Sequence, residues 1–242
     1  MKIQSNLLLF FLVFYMTNAV SQNKQQNVVD KQRIMDLLEK SKKVYEGSEA
    51  FKFNMDYKLF TSYKSNTITE TYIGVLIKRR TDSYSRIGKT EFVHLGNDFI
   101  KIDNESGLIQ LSKNQEATST VYNLKEMVSN FSVFELASEG NYWVCTLTGP
   151  EITFVPYGKA VIYISKTDYT ISRQILYLLK INAYKDKDGK IKKAYPRMEI
   201  NFSDFTTKAI DFGSVFKKEN YIREIKNKYV PATKYAKYKI VD

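Results

Sequence analysis

Apolar and polar residues alternate strictly from Phe51 to Leu59, where Phe51, Phe53, Met55, Tyr57 and Leu59 are separated by Lys52, Asn54, Asp56 and Lys58. A period of two places the five apolar side chains on one face of a β-strand. Just upstream the period changes. Ile34, Leu37, Leu38, Val44 and Tyr45 recur at spacings of three and four, which predicts an amphipathic helix from an Asp30 N-cap through Tyr45, stopped at Gly47. Asp36 with Lys40 and Glu39 with Lys43 are acid-then-base pairs four apart on its polar side, so the helix is expected to lie on the strand that follows.

Lys64, Ser65 and Asn66 turn that strand back. The run from Thr67 to Arg79 has Ile68, Tyr72 and Leu76 on one face and Ile73, Val75 and Ile77 on the other. Its second half is apolar on both faces and should be covered on two sides. Short strands are then predicted at 83–87, 91–95, 99–102 and 108–111, divided by Gly88, Gly96-Asn97-Asp98 and Asp103-Asn104. Connections this short require antiparallel neighbours. Between Thr118 and Phe134, Val121, Leu124, Met127, Val128 and Phe131 return to a helical period. Strands resume at 142–147, 160–164, 171–179 and 198–202; Asp186 to Gly189 reads as a hairpin tip, and Tyr235 to Val241 as an edge strand guarded by lysines. The pattern predicts an α+β single domain with a long, strongly curved antiparallel sheet.

Composition adds compartment and charge. Met1 and Lys2 precede the apolar run Leu7–Met16, with small residues Ala19 and Ser21 at cleavage positions, so residues 1–21 are expected to be a signal peptide removed after Ser21, leaving a periplasmic or secreted chain. There is no lipobox cysteine: the only cysteine, Cys145, shares a strand face with Trp143 and Leu147 and is expected to be an inert buried hydrophobe. The 242 residues carry 37 Lys and Arg against 26 Asp and Glu. From Ser214 to Asp242, Lys217, Lys218, Arg223, Lys226, Lys228, Lys234, Lys237 and Lys239 face only Glu219, Glu224 and Asp242. Such a basic C-terminal extension favours an anionic membrane surface or polysaccharide over nucleic acid, and equally suits plain solvation.

Catalytic chemistry is sparse. The single histidine, His94, lies far along the chain from Cys145, and no nucleophile elbow, phosphate loop or zinc-ligand spacing is present. Glu70, Asp82, Glu91 and Asp98 are the acids a hydrolase would need to bring together on a sheet face, a convergence that sequence spacing alone does not show. The expectation is a non-enzyme without cofactor or metal.

At Gly74-Val75-Leu76-Ile77-Lys78-Arg79-Arg80-Thr81-Asp82-Ser83-Tyr84-Ser85-Arg86 the chain resembles the LolA/LolB-like periplasmic lipoprotein-carrier superfamily. Its members place a glycine-led apolar strand before an arginine, a turn, and an aromatic residue followed by another arginine. Gly74, Arg79 or Arg80, Tyr84 and Arg86 match, while the proline usual after the arginine is replaced. The order of elements over roughly residues 30–212 is similar too, and the composition is reminiscent of exported proteins of Bacteroidetes-type bacteria. The resemblance implies residues 22–242 as one LolA-like domain: an incomplete β-barrel with helices covering its concave side, working in outer-membrane lipoprotein transport. The implied partners are the acyl chains of lipid or lipoprotein, bound by a monomer. The implied cavity lining is Phe51, Phe53, Met55, Tyr57, Tyr72 and Leu76, with Arg79, Arg80 and Arg86 at the headgroup rim. The competing expectation is a cell-envelope binding or scaffold module with a filled barrel, which contacts glycan or a partner protein through its basic, tyrosine-rich surface.

Overall fold

The computed structural model describes residues 26–241 except 114–127, 154, 187, 209, 211, 214 and 227. The expected signal peptide therefore lies outside the described residues, as does the predicted helix up to residue 127. A helix, α1, runs over residues 26–46. It leads into β1 (Ala50–Phe60), β2 (Ile68–Arg79), β3 (Asp82–Ile87), β4 (Thr90–Leu95), β5 (Asp98–Asp103) and β6 (Leu108–Lys113). Next come β7 (Val133–Glu139), β8 (Tyr142–Thr148), β9 (Tyr157–Ser165), β10 (Ile171–Leu178), the hairpin β11 (Asn182–Lys185) and β12 (Ile191–Ala194), and β13 (Arg197–Thr206). The C-terminal segment adds a second hairpin, β14 (Ile222–Ile225) and β15 (Lys228–Pro231), and the short β16 (Lys239–Val241).

Twelve strands form one sheet in the order β16-β6-β5-β4-β3-β2-β1-β13-β10-β9-β8-β7. Every neighbour pair is antiparallel except β16 with β6, which is parallel. The two end strands do not pair with each other. The sheet is thus open and mixed, which corrects the expected strongly curved, incomplete antiparallel barrel. Closure needs tilt and stagger that bring the first and last strands into register, and here those edges belong to different layers of packing.

Those layers follow from register. Phe53 sits opposite Leu76 and Met55 opposite Phe202, so the odd-numbered apolar residues of β1 share a first face with Leu76, Phe202 and Ile200. Across β10 to β7 the same face carries Leu176, Ala160, Ile162, Cys145, Leu147 and Phe134. α1 lies on this face through Ile34, Leu37, Leu38 and Tyr45. On the second face, Ile77 aligns with Tyr84, Val93, Ile100 and Leu111. That ladder is covered by Phe212, Phe216, Tyr221, Ile222 and Tyr235 of the C-terminal segment. One cover is helical and the other a hairpin with irregular flanks, and they occupy opposite faces at opposite ends. Among the described residues the expected helical cover of one concave side gives way to a diagonal arrangement around a shared central pair, β1 and β2. The two-sided apolar half of β2 is explained: Leu76 packs under α1 and Ile77 under the C-terminal segment.

Local chemistry fixes the turns and one edge. Gly88 and Gly96 hold φ of +56° in the tight β3–β4 and β4–β5 turns, a region that suits glycine. Gly47 follows α1 and its N–H donates to the Lys43 carbonyl at 2.8 Å; a Cβ there would stand 2.7 Å from that oxygen, so the position requires glycine. Asp30 is not the N-cap expected of it, since α1 already includes residues 26–29. Its buried carboxylate instead accepts the backbone N–H of Leu136 at 3.2 Å, and Asn27 Oδ1 accepts that of Phe134 at 2.7 Å. These side chains satisfy outward donors of the end strand β7, which would otherwise offer a template for a further strand. Asp30→Ala is expected to cost about 1–3 kcal/mol, the penalty of an orphaned edge donor. Urea unfolding should read that loss, and size-exclusion chromatography should show added self-association.

Candidate functional site

Phe51, Phe53, Met55 and Leu76 are 1–4% exposed and lie directly under α1. Tyr45 of the helix packs edge-on against Phe51 at 5.6 Å and Phe205 at 5.3 Å, and its hydroxyl accepts the Ile171 N–H at 2.9 Å. Tyr57 adjoins the cluster and donates to Met55 Sδ at 3.1 Å. Tyr72 stands apart, 46% exposed, with its hydroxyl on Glu70. A cleft of about 340 Å³ opens beside the end of α1, lined among others by Tyr45, Phe53, Asp168, Phe202 and Phe205.

The three arginines do not surround that cluster. Arg79 projects from the second face, stacked on Phe216 at 4.6 Å and Phe212 at 5.5 Å and paired with Asp82 at 3.3 Å. Arg80, in the left-handed region at φ 54°, grips Glu49 through two hydrogen bonds of 3.0 and 2.6 Å. Arg86 is exposed, opposite Val75 and Glu91 on the second-face register. Gly74, which led the motif, is where strands and side chains crowd: a Cβ would meet Arg86 O at 3.0 Å and Tyr57 Cε2 at 3.1 Å.

The four acids also separate. Glu70 bonds Tyr72, Asp82 pairs with Arg79, and Asp98 pairs with Lys218 at 2.7 Å. Glu91 is 5% exposed and joins the sheet to the C-terminal segment: it accepts the hydroxyls of Tyr84 at 3.1 Å and Tyr235 at 3.2 Å, and Asn104 Nδ2 at 3.0 Å. Among the described residues no cluster of three His, Cys, Asp or Glu is arranged to hold a metal ion. His94 and Cys145 stand on β4 and β8, seven strand positions apart, about 33 Å at ordinary strand spacing. Burial pushes the Cys145 thiol up to about 12, so no thiolate forms at neutral pH.

Buried tyrosines make the fold sensitive to base. Burial pushes Tyr45 and Tyr57 up to about 12. Burial, then the Glu91 carboxylate, raises Tyr84 and Tyr235. In each case the folded state holds a proton that the unfolded chain releases near pH 10. Their stabilisation is complete below pH 10 and is lost as pH rises towards 12 and above. Tyr45 alone accounts for about 1.4 kcal/mol per pH unit in that window. The urea midpoint should be flat from pH 7 to 9 and fall steeply above 10, while Cys145 stays unreactive to disulfide reagents until the chain unfolds.

A feature that sequence reasoning missed lies on the second face of β8, β9, β10 and β13, beyond the reach of the C-terminal cover. Val144, Val161 and Ile175 form a small apolar strip there, flanked by Tyr163 and Tyr177. Tyr142 extends it at 6.3 Å from Tyr163, and Tyr63 and Tyr195 extend it from Tyr177 at successive ring distances of 5.1 and 6.0 Å. Cations sit over these rings: Arg173 over Tyr163 and Lys159 over Tyr177, both at 5.5 Å. On the same face, across from Ile175, the buried carboxylate of Glu199 holds Arg173 and Arg197. The signal was present as period-two runs, Lys159-x-Val161-x-Tyr163 and Arg173-x-Ile175-x-Tyr177. Only the register shows that the two runs lie side by side in opposite directions, each cation next to the other strand's tyrosine.

No family model matches the chain, and no curated protein matches it significantly. Solved structures similar to it include a DUF1329 family protein from Desulfovibrio piger, 12% identical with a TM-score of 0.40, covering 78% of this chain and 98% of that one. An uncharacterized conserved protein from Thermus thermophilus is 10% identical at a TM-score of 0.45, over 74% and 90% of the two chains. A LolA superfamily protein from Nitrosomonas europaea is 14% identical at 0.35, over 76% and 97%. These structures come from different bacteria and single out no one lineage.

Proposed function

We propose that this protein is an exported, non-catalytic binding module of the cell envelope, whose tyrosine stripe, on β8, β9 and β10 and continued by Tyr63 and Tyr195, contacts an acidic glycan. The observation that carries this reading is the stripe itself. A pair of tyrosines in ring contact, Tyr142 with Tyr163, and a trio, Tyr177, Tyr63 and Tyr195, offer flat apolar faces on either side of the apolar strip, and Arg173 and Lys159 supply positive charge beside them. The acyl-carrier reading is less well supported, because four of its six lining residues are committed to packing against α1. Export rests on the N-terminal sequence pattern.

The test pairs two measurements. Native mass spectrometry of protein purified from an envelope fraction is expected to show the bare chain mass, and co-sedimentation with isolated envelope glycan is expected to retain it. Tyr163→Ala with Tyr177→Ala should abolish retention, and added salt should weaken it. A stoichiometric co-purifying lipid with no glycan retention would return the carrier reading. Retention unchanged in the double variant would remove the stripe from the interaction.

A further inference from the structure

A second concave feature lies at the other end of the sheet, where the C-terminal segment docks on β5 and β6. The cleft there has a volume of about 500 Å³, within the range of small-molecule sites. Its apolar wall is Ile100 and Leu111 from the sheet, Ile222 and Tyr229 from the β14–β15 hairpin, and Ile240 from β16. Ile100 and Ile222 are buried, so this wall is rigid core rather than loose surface. Three ammonium groups, Lys113, Lys218 and Lys228, line the same cleft against a single carboxylate, Asp98. That carboxylate is engaged by Lys218, whose ammonium also lies over the Tyr229 ring at 4.9 Å. Lys113 stands directly across the strand pair from Asp98, and both Lys113 and Lys228 are exposed at the rim.

We propose that this cleft is a binding site for a small organic anion with an apolar body. The wall is suited to hydrocarbon, and the excess of two positive charges at the rim selects an anionic head over a neutral or cationic one. Phosphate alone would leave the isoleucine and leucine wall uncovered, and a neutral hydrocarbon would leave the lysines unused. The site is distinct from the tyrosine stripe and from the cluster under α1: it sits on β5 and β6 and exists only because residues 218–240 fold back onto the sheet. Nothing in it depends on the glycan reading.

Calorimetric titration of the mature chain with octanoate, octanol and octylammonium tests both halves of the proposal. Octanoate is expected to bind at least tenfold more tightly than octanol, and octylammonium least. Lys113→Glu with Lys228→Glu should lower octanoate affinity at least tenfold and place octylammonium first. Should that double variant fail to fold, Lys228→Gln alone is expected to weaken octanoate about threefold. A photoreactive octanoate analogue should label peptides within 98–113 and 218–240. Equal affinity for the three probes, no binding at millimolar octanoate, or labelling confined to 26–60 would each overturn the assignment, the last by moving the site beneath α1.

Discussion

Phe53→Ala is expected to lower the unfolding free energy by about 3–5 kcal/mol, the cost of deleting a large side chain from a packed interior. Phe53 is 2% exposed, packs edge-on against Phe202 at 5.6 Å, and stacks in parallel with Phe51 at 6.0 Å. For a chain of this size the midpoint of thermal unfolding should fall by roughly 6–20 °C, at about 2–4 °C per kcal/mol. The same substitution separates the two functional readings. A ring lining a ligand cavity would be dispensable to the empty protein, and its removal would enlarge the cavity at little cost. A ring that belongs to the core would not be dispensable. Differential scanning calorimetry of the lipid-free variant decides this: a shift below about 2 °C would reopen the acyl cavity under α1.

Glu91→Ala should be nearly as damaging, for a different reason. Its buried carboxylate accepts from Tyr84 on β3, Tyr235 in the C-terminal segment and Asn104 after β5. Truncation removes three hydrogen bonds to a charged acceptor and leaves two buried hydroxyls without it; bonds of that kind contribute about 1.5–3 kcal/mol each. Shared relaxation makes the sum smaller than three independent bonds, so about 3–5 kcal/mol is expected. The loss should concentrate in one place. Tyr221 and Tyr235 stack at 6.3 Å over this point, so hydrogen exchange in residues 221–240 should rise well before exchange in β8, β9 and β10. Uniform acceleration across the sheet would contradict the role assigned to Glu91 as the pin between segment and sheet. Octanoate binding should fall together with the segment, since the cleft requires it.

Much of the strand pattern was legible because it depends on local order. The alternation from Phe51 to Leu59 became β1, Leu76 and Ile77 in the two-sided apolar half of Thr67–Arg79 became buried on opposite faces of β2 although Tyr72 and Ile73 stay exposed, and Asp186 and Gly189 fall between β11 and β12. The sequence reading failed wherever the decisive partner lay far along the chain. Asp30 has the composition of an N-cap, yet its carboxylate is 106 residues from the N–H it accepts. Val133–Glu139 begins inside a stretch whose spacing reads as helical and is a strand because β8 pairs with it. The segment 214–242 reads as a basic extension by charge; Tyr221, Ile222 and Tyr235, 1–4% exposed, make it half of the core on the second face.

The candidate sites divide in the same way. That Phe51, Phe53 and Met55 share a face was legible in the sequence, because period two makes them point together. Its occupant, helix or ligand, is set by packing that no spacing encodes. Arg79 and Leu76 are three residues apart and therefore on opposite faces, which keeps the arginine away from the cluster it was expected to guard. The tyrosine stripe and the lysine-rimmed cleft depend on register between strands and on where the C-terminal segment docks. What the sequence alone determined was which residues face the same way within each strand, since side-chain direction follows from the backbone repeat. The tertiary structure alone decided which faces meet, which stay open and that the sheet does not close, because those outcomes depend on long-range contacts whose free energies exist only once the chain has folded.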